Sequence, residues 1–281
     1  MATSTDDNEQ QAPARANTRV RVGTFNIHHG VGANGDLDLT RTAAAIADLD
    51  ADLVGLQEVD RNWAGRSAFA DQAVDLANRL DTHLAFGASL SRRRRRRGDK
   101  QQREYGNALL SRFPIRNVHT TLLPRPRGGE QRALLDTEVD VHGVVLRCLV
   151  THLHHLMRAE RLAQVERINE TITDTSSGHE IPTVLLGDLN SAPGSAEIRT
   201  LTEHLVDSWV VGGVVGGLVA GPGGSNGKGC TYSAQTPFIR IDYVLASPDI
   251  AVEQVRVATT DASDHLPVAA DLRLPRSSEV G

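Results

Sequence analysis

Polar side chains that can bind a metal ion or move a proton stand where apolar segments of this 281-residue sequence end. Such groups are costly inside an apolar core, so we expect them to gather in one cleft beyond the strand ends. Carboxylate and amide oxygens are hard ligands that favour Mg²⁺, Mn²⁺ or Ca²⁺ over zinc. The pattern predicts a divalent metal site to which several segments contribute, through Asn26, Glu58, Asp188, Asn190, Asp264 and His265.

Two of these residues share the segment GDLN, in which Asp188 and Asn190 are two positions apart. On an extended chain both side chains point to the same face, so one site can use both. An aspartate and an asparagine at this spacing also form turns at strand ends, so the pair alone does not decide. A glutamate that ends an apolar run, as Glu58 does, has few structural uses, and this favours the metal site.

Short apolar runs alternate with helical patterns along the chain. Apolar residues recur at a spacing near 3.6 over residues 39–49 and 162–172, which predicts two helices. Strands that alternate with helices are typical of an α/β fold. The predicted strands, which are rich in β-branched and apolar residues, are 19–27, 52–57, 105–111, 144–151, 182–187, 240–246 and 266–273.

The chain ends and one glycine-rich segment depart from this pattern. Residues 1–18 are polar without periodicity, which predicts a disordered tail, and we expect a flexible C-terminus at residues 276–281. The segment 211–229 is rich in glycine and is predicted to be a long loop. Because candidate site residues fall on both sides of this loop, we predict a single catalytic domain over residues 19–275.

The candidate residues belong to seven segments that follow one another in a characteristic order. The segments are TFNIHHG (24–30), LQEVDR (56–61), YGNALLSRFPI (105–115), THLHH (151–155), GDLNSAPG (187–194), RIDYVLAS (240–247) and ASDHLPVAADL (262–272). Together they resemble the endonuclease/exonuclease/phosphatase superfamily of deoxyribonucleases, inositol polyphosphate 5-phosphatases, neutral sphingomyelinases and deadenylases. The resemblance implies an α/β fold that is a four-layer sandwich, with two packed mixed β-sheets flanked by helices. It also implies a metal-dependent hydrolase that attacks phosphate esters with an activated water and Mg²⁺ or Mn²⁺.

The resemblance also implies which residues bind the metal ion. Glu58 in LQEVD is similar to the principal metal-ligating carboxylate of the family, and Asn26 to a neighbouring ligand or its partner. Asparagine at such a position can also cap a turn. Asp264 in SDHLPV would face the metal ion or the water.

Four further residues are similar to the groups that handle the water and one phosphate oxygen. Asp188 resembles the residue that orients or deprotonates the attacking water, and Asn190 one that holds a phosphate oxygen. Asp242 in RIDYV resembles the carboxylate that fixes the tautomer and orientation of His265. Either Asp188 or His265 could be the general base, since coupled groups share their apparent pKa values.

Three more residues would contact the phosphate if the resemblance holds. His152 in THLHH is similar to the histidine that stabilises charge on the scissile phosphate, and Tyr105 and Asn107 in YGNALLS would lie beside it. Tyr105 fits the role of a core aromatic equally well. The string THLHH also begins like the zinc-hydrolase pattern THxHxDH, but Leu156 and Met157 occupy its last two ligand positions.

A run of six arginines, Arg92 to Arg97, precedes YGNALLS and is not explained by the family pattern. Such a run can bind the phosphates of a nucleic acid, an inositol ring or a lipid headgroup. A solvated loop is an equally good interpretation, because only Lys100 and Lys228 are lysines and arginine is preferred throughout the chain. Two segments, Arg66-Ser67 and Asp71-Gln72, are similar to small bacterial and lipid-related members of the superfamily.

The bulk composition limits the classes of substrate and partner. A formal charge of -5 and an aromatic content of 4% argue against a protein that coats nucleic acid. The sequence shows no signal peptide, membrane span or disulfide framework, so we expect a cytoplasmic monomer. We predict a small-molecule or lipid-headgroup phosphoester as the substrate. The alternatives are a nuclease that uses Arg92 to Arg97, and a catalytically silent scaffold that binds phosphorylated ligands.

Overall fold

The computed structural model of the chain describes residues 18–93, 102–174, 181–212 and 228–275. The predicted tail, except for Thr18, and the predicted C-terminus at 276–281 lie outside the described residues. So do four arginines of the run, at 94–97, and most of the predicted glycine-rich loop.

The first sheet has the strand order β11-β12-β1-β2-β4-β3. Its neighbouring strands are antiparallel, except that β1 and β2 are parallel. The strands are β1 (Arg19–Asn26), β2 (Leu53–Arg61), β3 (His83–Arg93), β4 (Gln102–Ser111), β11 (Ala251–Val257) and β12 (Val268–Arg273).

The second sheet has the strand order β5-β6-β7-β8-β10-β9, and it is also mixed because β7 and β8 are parallel. The strands are β5 (Ile115–Leu122), β6 (Ala133–Val141), β7 (Val144–His152), β8 (Thr183–Asp188), β9 (Val206–Asp207) and β10 (Asp242–Ala246). In both sheets the parallel pair lies in the interior, where apolar runs are buried on both faces.

Aspartate and serine side chains start four of the five helices in the described residues. Asp38, for example, accepts hydrogen bonds from the backbone N–H groups of Thr40 and Arg41, which have no partner inside the helix. Asp71, Ser195 and Asp207 do the same for their helices. The helices are α1 (Leu39–Asp48), α2 (Gln72–Leu80), α3 (Arg158–Thr173), α4 (Ala196–Leu201) and α5 (Ser208–Val211).

Three groups of buried apolar side chains hold the layers together. The first lies between the two sheets and joins residues such as Leu53 of β2 to Val150 of β7. The second packs α1 and α2 on the first sheet, and the third packs α3 and α4 on the second sheet. Helix, sheet, sheet and helix therefore form four layers, and the predicted α/β sandwich of two mixed sheets is confirmed.

Gly55 of β2 allows the two sheets to approach each other closely. A Cβ atom at this position would lie 2.9 Å from Cβ of Leu186 and 3.1 Å from Cγ1 of Val150 on the facing sheet. A larger residue would therefore force the sheets apart. Gly55 precedes Glu58 and Leu186 precedes Asp188, so this contact lies just beneath the candidate site.

Each predicted strand corresponds to a strand of the structure, with ends that shift by a few residues. The two predicted helices are α1 and α3. The sequence interpretation missed β3, β5, β6, β9 and β11 and the helices α2, α4 and α5. Among the described residues, no helix has both the length and the apolar character that crossing a membrane requires.

Candidate active site

Strand register brings three predicted site residues side by side on the second sheet. His152 lies opposite Asp188 in the parallel pair of β7 and β8, and Asp242 lies opposite Asp188 in the antiparallel pair of β8 and β10. Residues that pair across neighbouring strands point to the same face of a sheet. All three side chains are buried at one edge of the sandwich.

His265 binds the carboxylate of Asp242. Its Nδ1 atom lies 3.0 Å from Oδ2 of Asp242, and its Nε2 atom lies 3.7 Å from Oδ2 of Asp188. Burial lowers the pKa of His265, but the carboxylates of Asp242 and Asp188 outweigh burial and raise this pKa to about 10. The contact with Asp242 therefore fixes the orientation of the ring and favours its charged form.

A serine joins this histidine to the first sheet. The Ser263 hydroxyl donates to the backbone oxygen of Asn26 at 2.7 Å and accepts from the backbone N–H of His265 at 3.1 Å. The segment before β12 is thereby fixed to the end of β1. Ser263 is part of ASDHLPV, but no feature of its own in the sequence marks it as a site residue.

Glu58 reaches the site because β2 is irregular at this point. The register between β2 and β4 shifts between Leu56 and Val59, and Glu58 has a φ of 59°, a left-handed conformation that is costly for a residue other than glycine. Bulges of this kind re-aim side chains and are frequent at functional sites. The amide of Asn26 donates to Oε1 of Glu58 at 3.2 Å.

The environment of Glu58 stabilises its charged form. Burial raises the pKa of Glu58, but the nearby His29, His152 and Asn26 outweigh burial and hold this pKa well below its ordinary value. Nδ1 of His29 lies 3.7 Å from Oε2 of Glu58. A permanently charged carboxylate of this kind suits a metal ligand.

Asp188, at the end of β8 in the second sheet, contacts the first sheet through Asn26 of β1. Its Oδ2 atom accepts a hydrogen bond from the amide of Asn26 at 3.0 Å, and its Oδ1 atom accepts one from the backbone N–H of Asn190 at 2.9 Å. Burial, assisted by the negative charge of Asp242, raises the pKa of Asp188 to about 7, against the opposing effects of His265 and Asn26. Asp188 therefore lies in contact with the residues predicted for metal binding and with those predicted for catalysis.

His152 is held between a guanidinium and an amide. Nη1 of Arg132 lies 3.0 Å from Nδ1 of His152, and Nδ2 of Asn190 lies 3.0 Å from Nε2. A guanidinium only donates, so Nδ1 accepts and the neutral ring carries its proton on Nε2, which is 3.4 Å from Oδ2 of Asp188. Burial, followed by the charge of Arg132, lowers the pKa of His152 well below its ordinary value.

Arg132 is a second site residue, after Ser263, that the sequence analysis did not select. Its side chain is almost fully buried, and its Nε atom has no hydrogen-bond partner. Its carboxylate partner, Glu130, is 41% exposed and lies 3.2 Å away. The available signal was one arginine immediately before the apolar run ALL at 133–135, a polar residue at a strand boundary like the others.

Tyr105 and Asn107 lie near the site, in different surroundings. Tyr105, Asn107, Glu58, Arg132 and His152 all line one small pocket. Burial and the charge of Glu58 raise the pKa of Tyr105. The amide of Asn107, in contrast, donates to the backbone oxygens of residues 133 and 150 at 2.9 and 3.4 Å, so its nitrogen is used to join the two sheets.

Two histidine nitrogens beside the predicted metal ligands indicate that a divalent ion fits there. Nδ1 of His28 lies 3.6 Å from Oδ1 of Asp264, and Nδ1 of His29 lies 3.7 Å from Oε2 of Glu58. Both nitrogen atoms are buried without a hydrogen-bond partner. A cation beside these carboxylates would satisfy such groups, and carboxylates are ligands that Mg²⁺ and Mn²⁺ bind. Asn26 faces Glu58 with its amide nitrogen, while its oxygen accepts from the backbone N–H of His28 and keeps one lone pair for a metal ion.

A second group with ligand character lies next to it. Among the described residues, Asp188, Asp242 and His265 offer ligand atoms that all lie within 4.8 Å of one another. The amide of Asn26 contacts both Asp188, which belongs to this group, and Glu58. A metal ion bound at Glu58 would therefore lie close to this group as well. The carboxylates of the site are thus arranged in two adjoining sets.

The site geometry agrees with one family of enzymes. The sequence model of the endonuclease/exonuclease/phosphatase family matches residues 23–265 of this chain. The chain belongs to this family. Members of the endonuclease/exonuclease/phosphatase family are phosphoesterases and nucleases, so the prediction of a hydrolase that acts on ester bonds is confirmed at this level.

Three similar proteins agree with this assignment. Protein cwh43 of Schizosaccharomyces pombe is 28% identical over 153 residues, which are 52% of this chain and 14% of that protein, so this chain corresponds to a small part of it. The crystal structure of an endonuclease/exonuclease/phosphatase from Beutenbergia cavernae is 29% identical, with a TM-score of 0.69 over 92% of this chain and 72% of that chain. A mannosyl-6-phosphatase of Bacteroides thetaiotaomicron is 19% identical, with a TM-score of 0.72 over 90% of this chain and 99% of that chain, which shows the fold alone.

In this family member, the segments Arg66-Ser67 and Asp71-Gln72 contact the residues that carry the site. The amide of Gln72 donates to the backbone oxygen of His29 at 2.6 Å and accepts from the backbone N–H of Asp60 at 3.0 Å. Arg66 binds both carboxylate oxygens of Asp60, at 3.0 and 2.8 Å. These contacts hold the HHG turn and the end of β2 in place.

The histidine string THLHH does not form the zinc site that was the alternative. Nδ1 of His154 accepts from the backbone N–H groups of Leu156 and Met157, both at 3.1 Å. His154 therefore stabilises its own turn, whereas His152 faces Asp188. The family assignment agrees with this separation of roles.

Proposed function

We propose that this chain hydrolyses a phosphate ester by in-line attack of an activated water, with Mg²⁺ or Mn²⁺ at the site of Asn26, Glu58 and Asp264. The observation that carries the proposal is the surroundings of Asp188. One buried carboxylate has N–H groups or ring nitrogens of Asn26, His152 and His265 within 3.0 to 3.7 Å of its Oδ2 atom.

Two donors near Asp188 face each other without an acceptor between them. One amide hydrogen of Asn190 binds the backbone oxygen of Leu153 at 3.0 Å, and the other points toward Nε2 of His152. With the proton of His152 on Nε2, both groups are donors and need an acceptor oxygen. A phosphoryl oxygen would supply it, and its negative charge in the transition state would strengthen both hydrogen bonds.

The attacking water would lie beside Asp188 and His265, whose facing atoms are 3.7 Å apart. Asp188, whose pKa is raised to about 7, can accept a proton from this water, whereas the charged form of His265 donates from Nε2, so this geometry favours Asp188 as the general base. Asp242 holds His265 by its Nδ1 atom, which keeps Nε2 directed at the same water. A bound divalent ion would supply neutralisation of charge on the phosphoryl and leaving oxygens.

A small-molecule or lipid-headgroup phosphoester remains the best-supported substrate. The formal charge of -5 repels long polyanions, and a sugar-phosphate phosphatase occurs among the proteins that share this fold. Nucleic acid is the second candidate, through the arginines that begin at Arg92. The set of predicted catalytic residues is intact, which counts against a catalytically silent scaffold. The cytoplasmic location, the monomeric state and the single domain stay predictions.

A substrate panel tests the proposal. Purified protein with Mg²⁺ or Mn²⁺ is offered sugar phosphates, phosphoinositides, sphingomyelin, generic mono- and diesters, DNA and RNA, with Asp188→Asn as the control for contaminating activity. We expect release of a headgroup or phosphate that excess chelator abolishes and added metal restores. We expect Asp188→Asn to lower turnover by a factor of at least about 100.

Three outcomes of the panel would change the conclusion. Unchanged turnover in excess chelator contradicts the metal-assisted reaction. Cleavage of DNA or RNA, lost when arginines 92–97 become serine, would establish the nuclease. Binding of phosphorylated ligands without turnover of any of them would establish the scaffold.

A further inference from the structure

Two arginines that face each other across the β3/β4 hairpin lie next to the active-site pocket. Arg92 of β3 is directly opposite Arg103 of β4 in the antiparallel register. The guanidinium carbon of Arg92 lies 4.8 Å from the ring centre of Trp63, and that of Arg103 lies 4.8 Å from the ring centre of Phe69. We call Arg92, Arg103, Trp63 and Phe69 the arginine surface.

Within the part of the chain that the structure describes, no carboxylate balances the positive charge of the arginine surface. Among the described residues, neither Arg92 nor Arg103 has an ion pair. Like charges directly opposite each other on neighbouring strands are destabilising, and cation–π contacts offset only part of this cost. Arg61 of β2, which pairs with Glu104 of β4, is in contrast bound by Asp71 at 3.0 Å and Glu104 at 3.4 Å.

The arginine surface is connected to the pocket through one ring. Trp63 packs beside Tyr105 with 6.1 Å between ring centres, and Tyr105 lines the pocket with Glu58 and His152. Strand register explains the proximity, because Arg103 and Tyr105 are two positions apart on β4 and so share one face. A substrate whose reacting phosphate lies at His152 can therefore extend toward this surface.

We propose that Arg92 and Arg103 bind a second anionic group of the substrate, a phosphate, while His152 and Asn190 bind the phosphate that reacts. This inference rests on the proposed phosphoesterase function and narrows its substrate to molecules that carry two phosphates. Guanidinium groups bind phosphate through two parallel N–H donors, and the exposed Arg92 and half-buried Arg103 are accessible for this contact. One guanidinium lies over each of the rings of Trp63 and Phe69, so the rings hold the two arginines in position for an anion.

Ligand binding without turnover tests the proposal directly. The affinities of alkanediol bisphosphates with two, four, six and eight carbons are measured by calorimetry in excess chelator, beside alkyl monophosphates of the same lengths. We expect at least one bisphosphate to bind about tenfold more tightly than its monophosphate, a preference that corresponds to about 1.4 kcal/mol. We expect the double variant R92Q/R103Q to reduce this preference to less than about twofold, with monophosphate affinity unchanged.

A matched double variant controls for net charge. R79Q/R116Q removes the same charge from two arginines elsewhere on the surface, whose ion pairs are with Asp75 and Asp140. We expect it to retain the preference for the bisphosphate. Equal loss in both double variants, or wild-type protein without any preference, overturns the proposal. Failure to hydrolyse any ester would overturn the proposed function instead, since the binding assay does not require turnover.

Discussion

Nη1 of Arg132 donates a hydrogen bond to Nδ1 of His152 across 3.0 Å, and both side chains are buried. This contact determines which nitrogen of His152 carries the proton. With Nδ1 occupied as an acceptor, the Nε2–H group is directed toward Asp188 and the position proposed for the phosphoryl oxygen. In the proposed reaction Arg132 would act through the histidine, as partners of metal-site and catalytic histidines do elsewhere.

Arg132→Met should lower kcat/KM by about ten- to a hundredfold, because the tautomer of His152 is then no longer fixed. The change keeps a long apolar stem, so we expect the protein to fold. Nitrogen-15 chemical shifts of His152 in labelled protein report the tautomer and should move. Arg132→Lys, which retains a donor and the charge, should recover part of the activity. Unchanged ring shifts in Arg132→Met would refute this role for Arg132.

Asp242→Asn should lower the pKa of His265 from its raised value of about 10 toward its ordinary value of 6.5. A histidine with a raised pKa in the folded state stabilises the protein fully below about pH 6.5, and this contribution is lost as the pH rises through about 10. In metal-free wild-type protein, the free energy of unfolding should therefore fall across this range. The variant should show a flatter profile in urea titrations at several pH values.

The control for this measurement is a surface aspartate that no histidine contacts. Asp75→Asn removes a carboxylate that is bound to Arg79 on α2. We expect it to leave the slope of stability against pH unchanged between about pH 6.5 and about pH 10, because Asp75 does not contact His265. If Asp242→Asn and wild-type protein have the same slope, the pairing of Asp242 with His265 does not control this titration.

Glu58→Gln should weaken Mg²⁺ and Mn²⁺ binding by at least about tenfold, because an amide is a weaker ligand than a carboxylate for hard cations. The change preserves the shape of the side chain and its hydrogen bond with Asn26. Calorimetry of metal binding, without substrate, measures the effect. Glu104→Gln, which lies on the other face of the strands beside Arg61, is the matched control. Metal affinity that is equal in Glu58→Gln and wild-type protein would place the metal ion elsewhere.

The sequence predicted the positions of polar site residues better than the contacts between them. Asn26, Glu58 and Asp188 interrupt apolar runs, and a polar residue at the end of a buried strand is conspicuous because it is costly there. Their meeting point follows from strand order, which brings β1 and β8 to the same end of the sandwich. The order of strands in two sheets leaves no periodic signal in one sequence. The resemblance to the family therefore supplied the two-sheet arrangement, which the spacing of apolar residues could not.

There are also physical reasons why some strands and contacts were not predicted from the sequence. β5 is mostly exposed at a sheet edge, so residues such as Asn117 and His119 replace the apolar alternation that predicts a strand. β6 alternates between buried and half-buried residues and was detectable by its period of two. The role of Arg132 depends on its distance from His152, twenty positions along the chain, which no local pattern contains.

Gly55→Ala should destabilise the protein by about 1 to 3 kcal/mol, because the added Cβ would lie 2.9 Å from Leu186 on the facing sheet and neither strand can yield without moving its sheet. Activity should fall as well, since a wider gap between the sheets lengthens the 3.0 Å contact between Asn26 and Asp188.

Urea unfolding measures the change in stability, and Gly65→Ala is the matched control. A Cβ at Gly65 meets no atom within 4 Å, so this change should be neutral or stabilise the protein by up to about 1 kcal/mol through the unfolded chain. The two effects should differ in sign or size even though the chemical change is identical. Equal unfolding free energies for the two variants would mean that the sheets can separate at Gly55 at little cost, and the site would then have to be held together by its own hydrogen bonds.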